Sequence, residues 1–350
     1  MVLCVVLIVG AAACGNAAQD AACGPFGNPP AKIISAVKPD CGAGRLRGPW
    51  KDANGTDRYA CLYEPASAAA NHQLPLLVYL HPSLFPAGRI TQTNLLDFQK
   101  TFPLSRDPKR AGFIVLAPEG RKTTHHYPWP DNSGIGWDNW YRQLNPAGDV
   151  KVGAIVYPEN VDAATIDHFI AQETATGKVD TSRIYVSGWS NGAAMGLLYA
   201  LNRPGVAAVA VYSAPNPFAA FNDRCSQSPV TGVVANDLQV RIFNPRVPVM
   251  EVHNSCDVAG ICPNDKKLAN QLRGEGVDVH DVIVDPSGKR VDACADWCGV
   301  SPMGDANPLH SPWGYIVGLY HHLRWPTQWT APMLGFLGDR RSLSRTTPKF

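Results

Sequence analysis

The chain has 350 residues, 45% of them hydrophobic and 17% charged, with a net charge of +2 at neutral pH. That length buries a large core, and the balance of apolar and charged residues argues against both a disordered chain and a membrane-embedded bundle. Lys and Arg are scattered without a basic run or aromatic interleaving, so no nucleic-acid partner is expected.

Residues 2–13 are almost wholly apolar and give way to Cys14-Gly15-Asn16 and a stretch of small residues. A dozen apolar residues fall short of the ~20 that span a bilayer, so no transmembrane segment is expected and residues 1–22 read as an export signal. The basic start of such a signal is missing. Ala11-Ala12-Ala13-Cys14 is similar to a bacterial lipoprotein cleavage site, without the usual Leu, and would put a lipid anchor on Cys14. The expected location is therefore secreted, extracellular or periplasmic, either free or lipid-anchored.

Setting aside Cys4 and Cys14, eight cysteines remain: Cys23, Cys41, Cys61, Cys225, Cys256, Cys262, Cys294 and Cys298. An even number in an exported chain reads as disulfides, with the local pairs Cys41–Cys61, Cys256–Cys262 and Cys294–Cys298 expected. Their spacing lacks the paired Cys-x-x-Cys or His of a zinc site, and the adjacent histidines 125–126 and 321–322 would point apart on a strand, so no metal is expected.

Residues 23–72, rich in Pro and Gly, suggest an irregular, disulfide-tied entry with an edge hairpin. Short apolar runs at 74–80, 112–117, 183–187, 206–212, 247–252 and 315–320 read as buried strands, and 277–284 as an alternating one. Helical patterns cover 160–176, 191–202 and 264–273. Strands separated by helices of this length imply βαβ units, a mainly parallel sheet, and one domain over residues 23–350.

The sharpest motif is Gly188-Trp189-Ser190-Asn191-Gly192, between a predicted strand and a predicted helix. In a nucleophile elbow the chain reverses so tightly that small residues flank the serine two positions away, which pushes its hydroxyl above the sheet. Without that context the pattern would be an ordinary turn. A serine needs a base to take its proton and an acid to orient the base, here in the order Ser, Asp, His. Asp257 follows the 247–252 strand at the sheet's carboxyl edge and is the candidate acid; its bland alternative is a turn-capping Asp.

For the base, His72, His81, His125, His126 and His168 precede the serine, His253 precedes the acid, and His280 lies within a strand. His310 sits in a Pro-rich loop, while His321 and His322 directly follow the last apolar run, and the residues alone do not separate that pair. Two N–H donors must hold an oxyanion. Asn191 supplies one, and the loop His81-Pro82-Ser83-Leu84 the other, from Ser83 or Leu84, since Pro82 has no N–H.

Together these residues resemble the polyhydroxybutyrate depolymerase and feruloyl esterase family of bacterial secreted α/β hydrolases, over roughly residues 74–337. The carriers are Leu77-Val-Tyr-Leu-His81, Gly112-Phe-Ile-Val-Leu-Ala-Pro-Glu-Gly120, Val179-Asp-Thr-Ser-Arg-Ile-Tyr-Val-Ser-Gly-Trp-Ser-Asn-Gly192 and Gly318-Leu-Tyr-His-His-Leu-Arg-Trp-Pro326. The resemblance implies an α/β-hydrolase fold and a serine carboxylic-ester hydrolase without cofactor, working through an acyl-enzyme on a short-chain polyester or a hydroxycinnamoyl ester. The family's Gly-x-x-His-x-Trp-Pro pattern is stretched by two residues here, between Gly318 and Pro326: counted from Gly318 it selects His321, the preferred base, with His322, one residue nearer Trp325, the close second. The family usually has His-Gly where this chain has His81-Pro82, and the region 285–313 is longer than expected. Trp137 and Trp140, with Trp189 and Trp325, are candidate substrate-binding aromatics, against the plain alternative of buried packing anchors. Two other readings carry less weight: a prolyl-oligopeptidase-like serine peptidase, and a non-catalytic surface binding protein on the same scaffold.

Overall fold

In the computed structural model, residues 33–53, 55–123, 135–137, 150–152, 155–157, 160–217, 244, 246–257, 261–295 and 312–342 are described. The export signal, Cys14, Trp140 and Cys298 lie outside them. The apolar runs form a nine-stranded sheet: β1 Arg45–Lys51, β2 Asp57–Tyr63, β3 Leu74–Leu80, β4 Ile114–Pro118, β5 Val179–Trp189, β6 Val206–Tyr212, β7 Val249–Asn254, β8 Val279–Val284 and β9 Arg290–Val291. The strand order is β1-β2-β4-β3-β5-β6-β7-β8-β9. Strands β3 to β8 run parallel, and β1, β2 and β9 pair antiparallel at the two edges.

Every residue of β3 and β6 is buried, as expected of central strands covered on both faces. Leu74, Leu76, Val78 and Leu80 face one core, with Ile166, Phe169 and Ile170 of helix α1, Val161–Thr174. Leu77 and Tyr79 face the other. Asn160 caps α1, its side chain accepting from the amides of Asp162 and Ala163 at 3.0 Å each, which starts the helix where the sequence predicts. Helices α2, Asn191–Asn202, and α3, Ile261–Gly274, pack with α1 on the first core.

Two expectations change. Residues 315–320 belong to helix α4, Pro312–His322, not to a strand. Six apolar residues are too few for period to distinguish the two, and Pro312 at the first helical position is the signal that marks a helix start. Helix α5, Thr330–Gly338, follows and buries Met333, Leu334 and Leu337 in the second core. Of the expected disulfides, Cys41–Cys61 forms, whereas Cys262 pairs with Cys294 rather than Cys256. The chain leaving β9 returns beside the start of α3, where the Ala295 amide donates to the Ser255 carbonyl at 2.9 Å, so the partner was set by the return path and not by spacing. Cys256 is also disulfide-bonded.

A buried ion cluster ties the sheet's antiparallel edge to α1. Arg58 reaches Asp52 at 3.2 Å and Asp162 at 2.7 Å, and Arg121 lies 3.4 Å from Asp162. All four side chains are almost wholly buried. Asp162→Ala leaves two arginines without that partner in a low-dielectric site, so a loss of about 3–5 kcal/mol is expected in urea unfolding. A loss under about 1 kcal/mol, the range of an exposed pair, would contradict it.

Candidate active site

Strand β5 ends at Trp189 and α2 begins at Asn191, leaving Ser190 to make the whole reversal with φ 55° and ψ −121°. Such a non-glycine backbone costs of order 1–3 kcal/mol and persists only where its surroundings enforce it. They do so here through close packing. A Cβ on Gly188 would overlap the Gly192 carbonyl, and one on Gly192 would overlap the carbonyl oxygens of Leu80 and His81. The Ser190 amide donates to the Tyr212 carbonyl of β6 at 3.0 Å.

Ser190 Oγ lies 2.7 Å from His322 Nε2, and His322 Nδ1 lies 2.7 Å from Asp257 Oδ1. Since the carboxylate can only accept while ionised, Nδ1 carries the proton and Nε2 is free to accept from the serine hydroxyl. Asp257 Oδ2 in turn accepts from Ser213 Oγ at 2.5 Å. Asp257 stands three residues beyond β7, and His322 ends α4, so the three side chains come from the carboxyl ends of β5 and β7 and from a helix terminus.

His321, the base preferred on the sequence, is not the imidazole that meets Ser190. One step along α4 turns its side chain about 100° from that of His322, and its ring stands edge-on to Tyr320 at 5.2 Å. Burial lowers its pKa from the ordinary histidine value. Neither landmark of the family pattern selects His322: Gly318 counts to His321, and Trp325, whose ring packs against Trp189 and Tyr212, counts to Leu323.

Of the oxyanion candidates, Asn191 provides the first N–H of α2, where a helix leaves its amides without internal partners. Its side chain accepts from the Trp137 amide at 2.7 Å. The Leu84 amide is engaged with the Ile135 carbonyl at 2.7 Å, which counts against it as an oxyanion donor; Ser83 is buried beside it. His81 anchors this loop: its Nε2 accepts from the Gly120 amide at 2.8 Å and its Nδ1 faces the Pro82 carbonyl at 2.9 Å. Burial lowers its pKa to about 4, so it stays neutral, as accepting at Nε2 demands.

Three of the four candidate indoles are buried, and Trp140 lies outside the described residues. Trp137, Trp189 and Trp325 are at most 6% exposed. Each turns its N–H inward: Trp137 to the His81 carbonyl at 2.9 Å, Trp189 to the His322 carbonyl at 2.8 Å, Trp325 to Thr330 Oγ1 at 2.7 Å. They hold the main chain on which the site is built. Ser213 and Tyr212 escaped the sequence reading. The only available signal was a hydroxyl at the carboxyl end of a central strand, where sites on parallel sheets gather.

A serine on an elbow, an imidazole and a carboxylate at the carboxyl edge of this sheet define a hydrolase of the α/β-hydrolase fold. More than half of the chain, residues 58–290, matches the family described as esterase PHB depolymerase. The chain belongs to that family, and its class is that of the carboxylic ester hydrolases. No curated protein sequence matches it. Solved structures similar to it include a thermostable esterase, with 16% identity and a TM-score of 0.43 over 85% of this chain and 62% of that one. This chain thus spans less than two thirds of that esterase. Others are Thermogutta terrifontis esterase 2 phosphorylated by paraoxon, with 13% identity and a TM-score of 0.43 over 78% and 92% of the two chains, and an acetyl xylan esterase from Aspergillus awamori, with 20% identity and a TM-score of 0.40 over 61% and 73%.

Glu119, at the end of β4, is buried next to this loop and accepts from the Ala87 amide at 2.6 Å. Burial raises its pKa to about 8 from the usual 4.5. The folded protein therefore holds this proton more tightly than the unfolded chain, a contribution present in full below the ordinary carboxyl range and lost as pH rises through about 8. Glu119→Gln keeps an acceptor for Ala87 and removes the titration. Its stability relative to the parent, from urea unfolding at about pH 5 and about pH 9, should rise with pH; a relative stability that stays flat or falls with pH would sink this account.

Proposed function

We propose that the protein is an exported serine esterase in which Ser190 is the nucleophile, His322 the general base and Asp257 the orienting acid. The unbroken run of contacts from Ser190 through His322 to Asp257, 2.7 Å at each step, carries the reading. His322 takes the hydroxyl proton as Ser190 Oγ attacks the ester carbonyl, and the amides of Asn191 and Ser83 hold the oxyanion. Collapse expels the alcohol, to which His322 returns the proton, leaving an acyl-enzyme on Ser190. Water activated by the same imidazole then releases the acid. Asp257, 2% exposed and fixed by Ser213, holds the imidazole in the required tautomer and steadies its charged form.

A short-chain polyester of the polyhydroxybutyrate kind is the proposed substrate, supported by the family match, with hydroxycinnamoyl esters second. Location outside the cytoplasm is supported by the disulfides Cys41–Cys61 and Cys262–Cys294.

Hydrolysis of p-nitrophenyl butyrate should fall by roughly a millionfold in Ser190→Ala with folding intact. Turnover retained in that variant would end the proposal. Film of polyhydroxybutyrate assayed beside a feruloyl ester tests the substrate, and feruloyl cleavage without release of hydroxybutyrate would overturn the choice.

A further inference from the structure

We propose that the dipeptide Tyr212-Ser213, at the carboxyl end of β6, is the junction that positions all three members of the triad. The inference rests on the esterase reading above. The Tyr212 carbonyl accepts from the Ser190 amide at 3.0 Å, which pins the elbow to the neighbouring strand. The Tyr212 hydroxyl donates to the His321 carbonyl at 3.0 Å, at the last turn of α4. The Ser213 hydroxyl donates to Asp257 Oδ2 at 2.5 Å, and its amide donates to the Val252 carbonyl of β7 at 2.8 Å. Three segments that are distant in sequence are thus gauged from two adjacent residues.

The backbone explains how two neighbours reach different partners. In a continuing strand their side chains would point to opposite faces of the sheet. Ser213 instead has φ 52°, a left-handed conformation that ends the alternation and places its hydroxyl beside the Tyr212 phenol and under the carboxylate. Both residues are buried, and the Tyr212 ring is braced by Trp189 at 6.3 Å and Trp325 at 5.8 Å between centroids. A terminal helical carbonyl has no partner within its helix. Tyr212 and Trp189 take the carbonyls of His321 and His322 respectively, so the end of α4 cannot slide without breaking both. Tyr212 and Ser213 are therefore positioning residues and touch no reacting atom.

Three variants test the junction. Ser213→Ala removes the hydroxyl and keeps the left-handed strain, Ser213→Gly removes it and relieves the strain, and Tyr212→Phe keeps the ring and loses the phenol oxygen. With p-nitrophenyl butyrate, both Ser213 variants should lose roughly ten- to hundredfold in kcat, the worth of a hydrogen bond to a charged group, with KM nearly unchanged. The acid limb of their kcat/KM profiles should move to higher pH, because a carboxylate without that donor favours the charged imidazole more strongly. Tyr212→Phe should lower kcat and move that limb less than the Ser213 variants do, since its hydroxyl donates to the helix end and not to the carboxylate. The low-field proton resonance of His322 Nδ1 should shift in both Ser213 variants, whether or not the protein turns over ester. Parental kcat, pH profile and resonance in Ser213→Gly would overturn the junction while leaving the esterase reading intact. A parent protein that neither hydrolyses the ester nor is labelled at Ser190 by a phosphonate, with the resonance still shifting in the variants, would overturn the esterase reading alone.

Discussion

Everything at the site follows from one reversal of the chain, in which a single non-glycine residue joins a parallel strand to a helix. Ser190 adopts its strained backbone because Gly188 and Gly192 let the strand, the helix and the Leu80–His81 carbonyls approach within van der Waals contact. The same turn puts the hydroxyl above the sheet edge and the Asn191 amide at the open end of α2. Nucleophile and oxyanion donor are thus two products of one conformation, and neither can be moved without the other.

The remaining groups are brought to that point by the sheet. Parallel strands end at a common edge, so Asp257 after β7 and the Tyr212-Ser213 pair after β6 meet although more than forty residues lie between them in the chain. Around them, polar atoms are engaged inward. His81 fastens the oxyanion loop to Gly120, Trp137 reaches the His81 carbonyl, and Trp189 reaches the His322 carbonyl. In a buried setting, hydrogen bonds of this kind fix geometry because the alternative is an unpaired group.

Much of this architecture was legible in the residues. The strands at 74–80 and 206–212 and the helix at 191–202 fall where the sequence places them, because a doubly covered strand is a bounded apolar run and a glycine-flanked elbow marks both of its neighbours. The last apolar run was misjudged because six residues hold less than two helical turns, so strand and helix patterns coincide. The choice of His321 came from counting from Gly318, and because adjacent side chains on a helix point about 100° apart, a shift of one position decides which imidazole meets Ser190. The partner of Cys262 depended on where the chain returned after β9, which local spacing does not encode. The burial of Trp137, Trp189 and Trp325 was not legible either, because a tryptophan in a sequence does not show whether its N–H faces a ligand or a carbonyl.

The backbone at residue 190 also narrows which nucleophile the fold can use. Threonine carries a hydroxyl of similar chemistry, but its branched Cβ is poorly tolerated at the positive φ of 55° found there. Among side chains that form acyl intermediates by oxygen or sulfur attack, the turn admits those with an unbranched Cβ, serine and cysteine. Conformation has therefore selected between two hydroxyl amino acids of nearly equal reactivity before any substrate arrives.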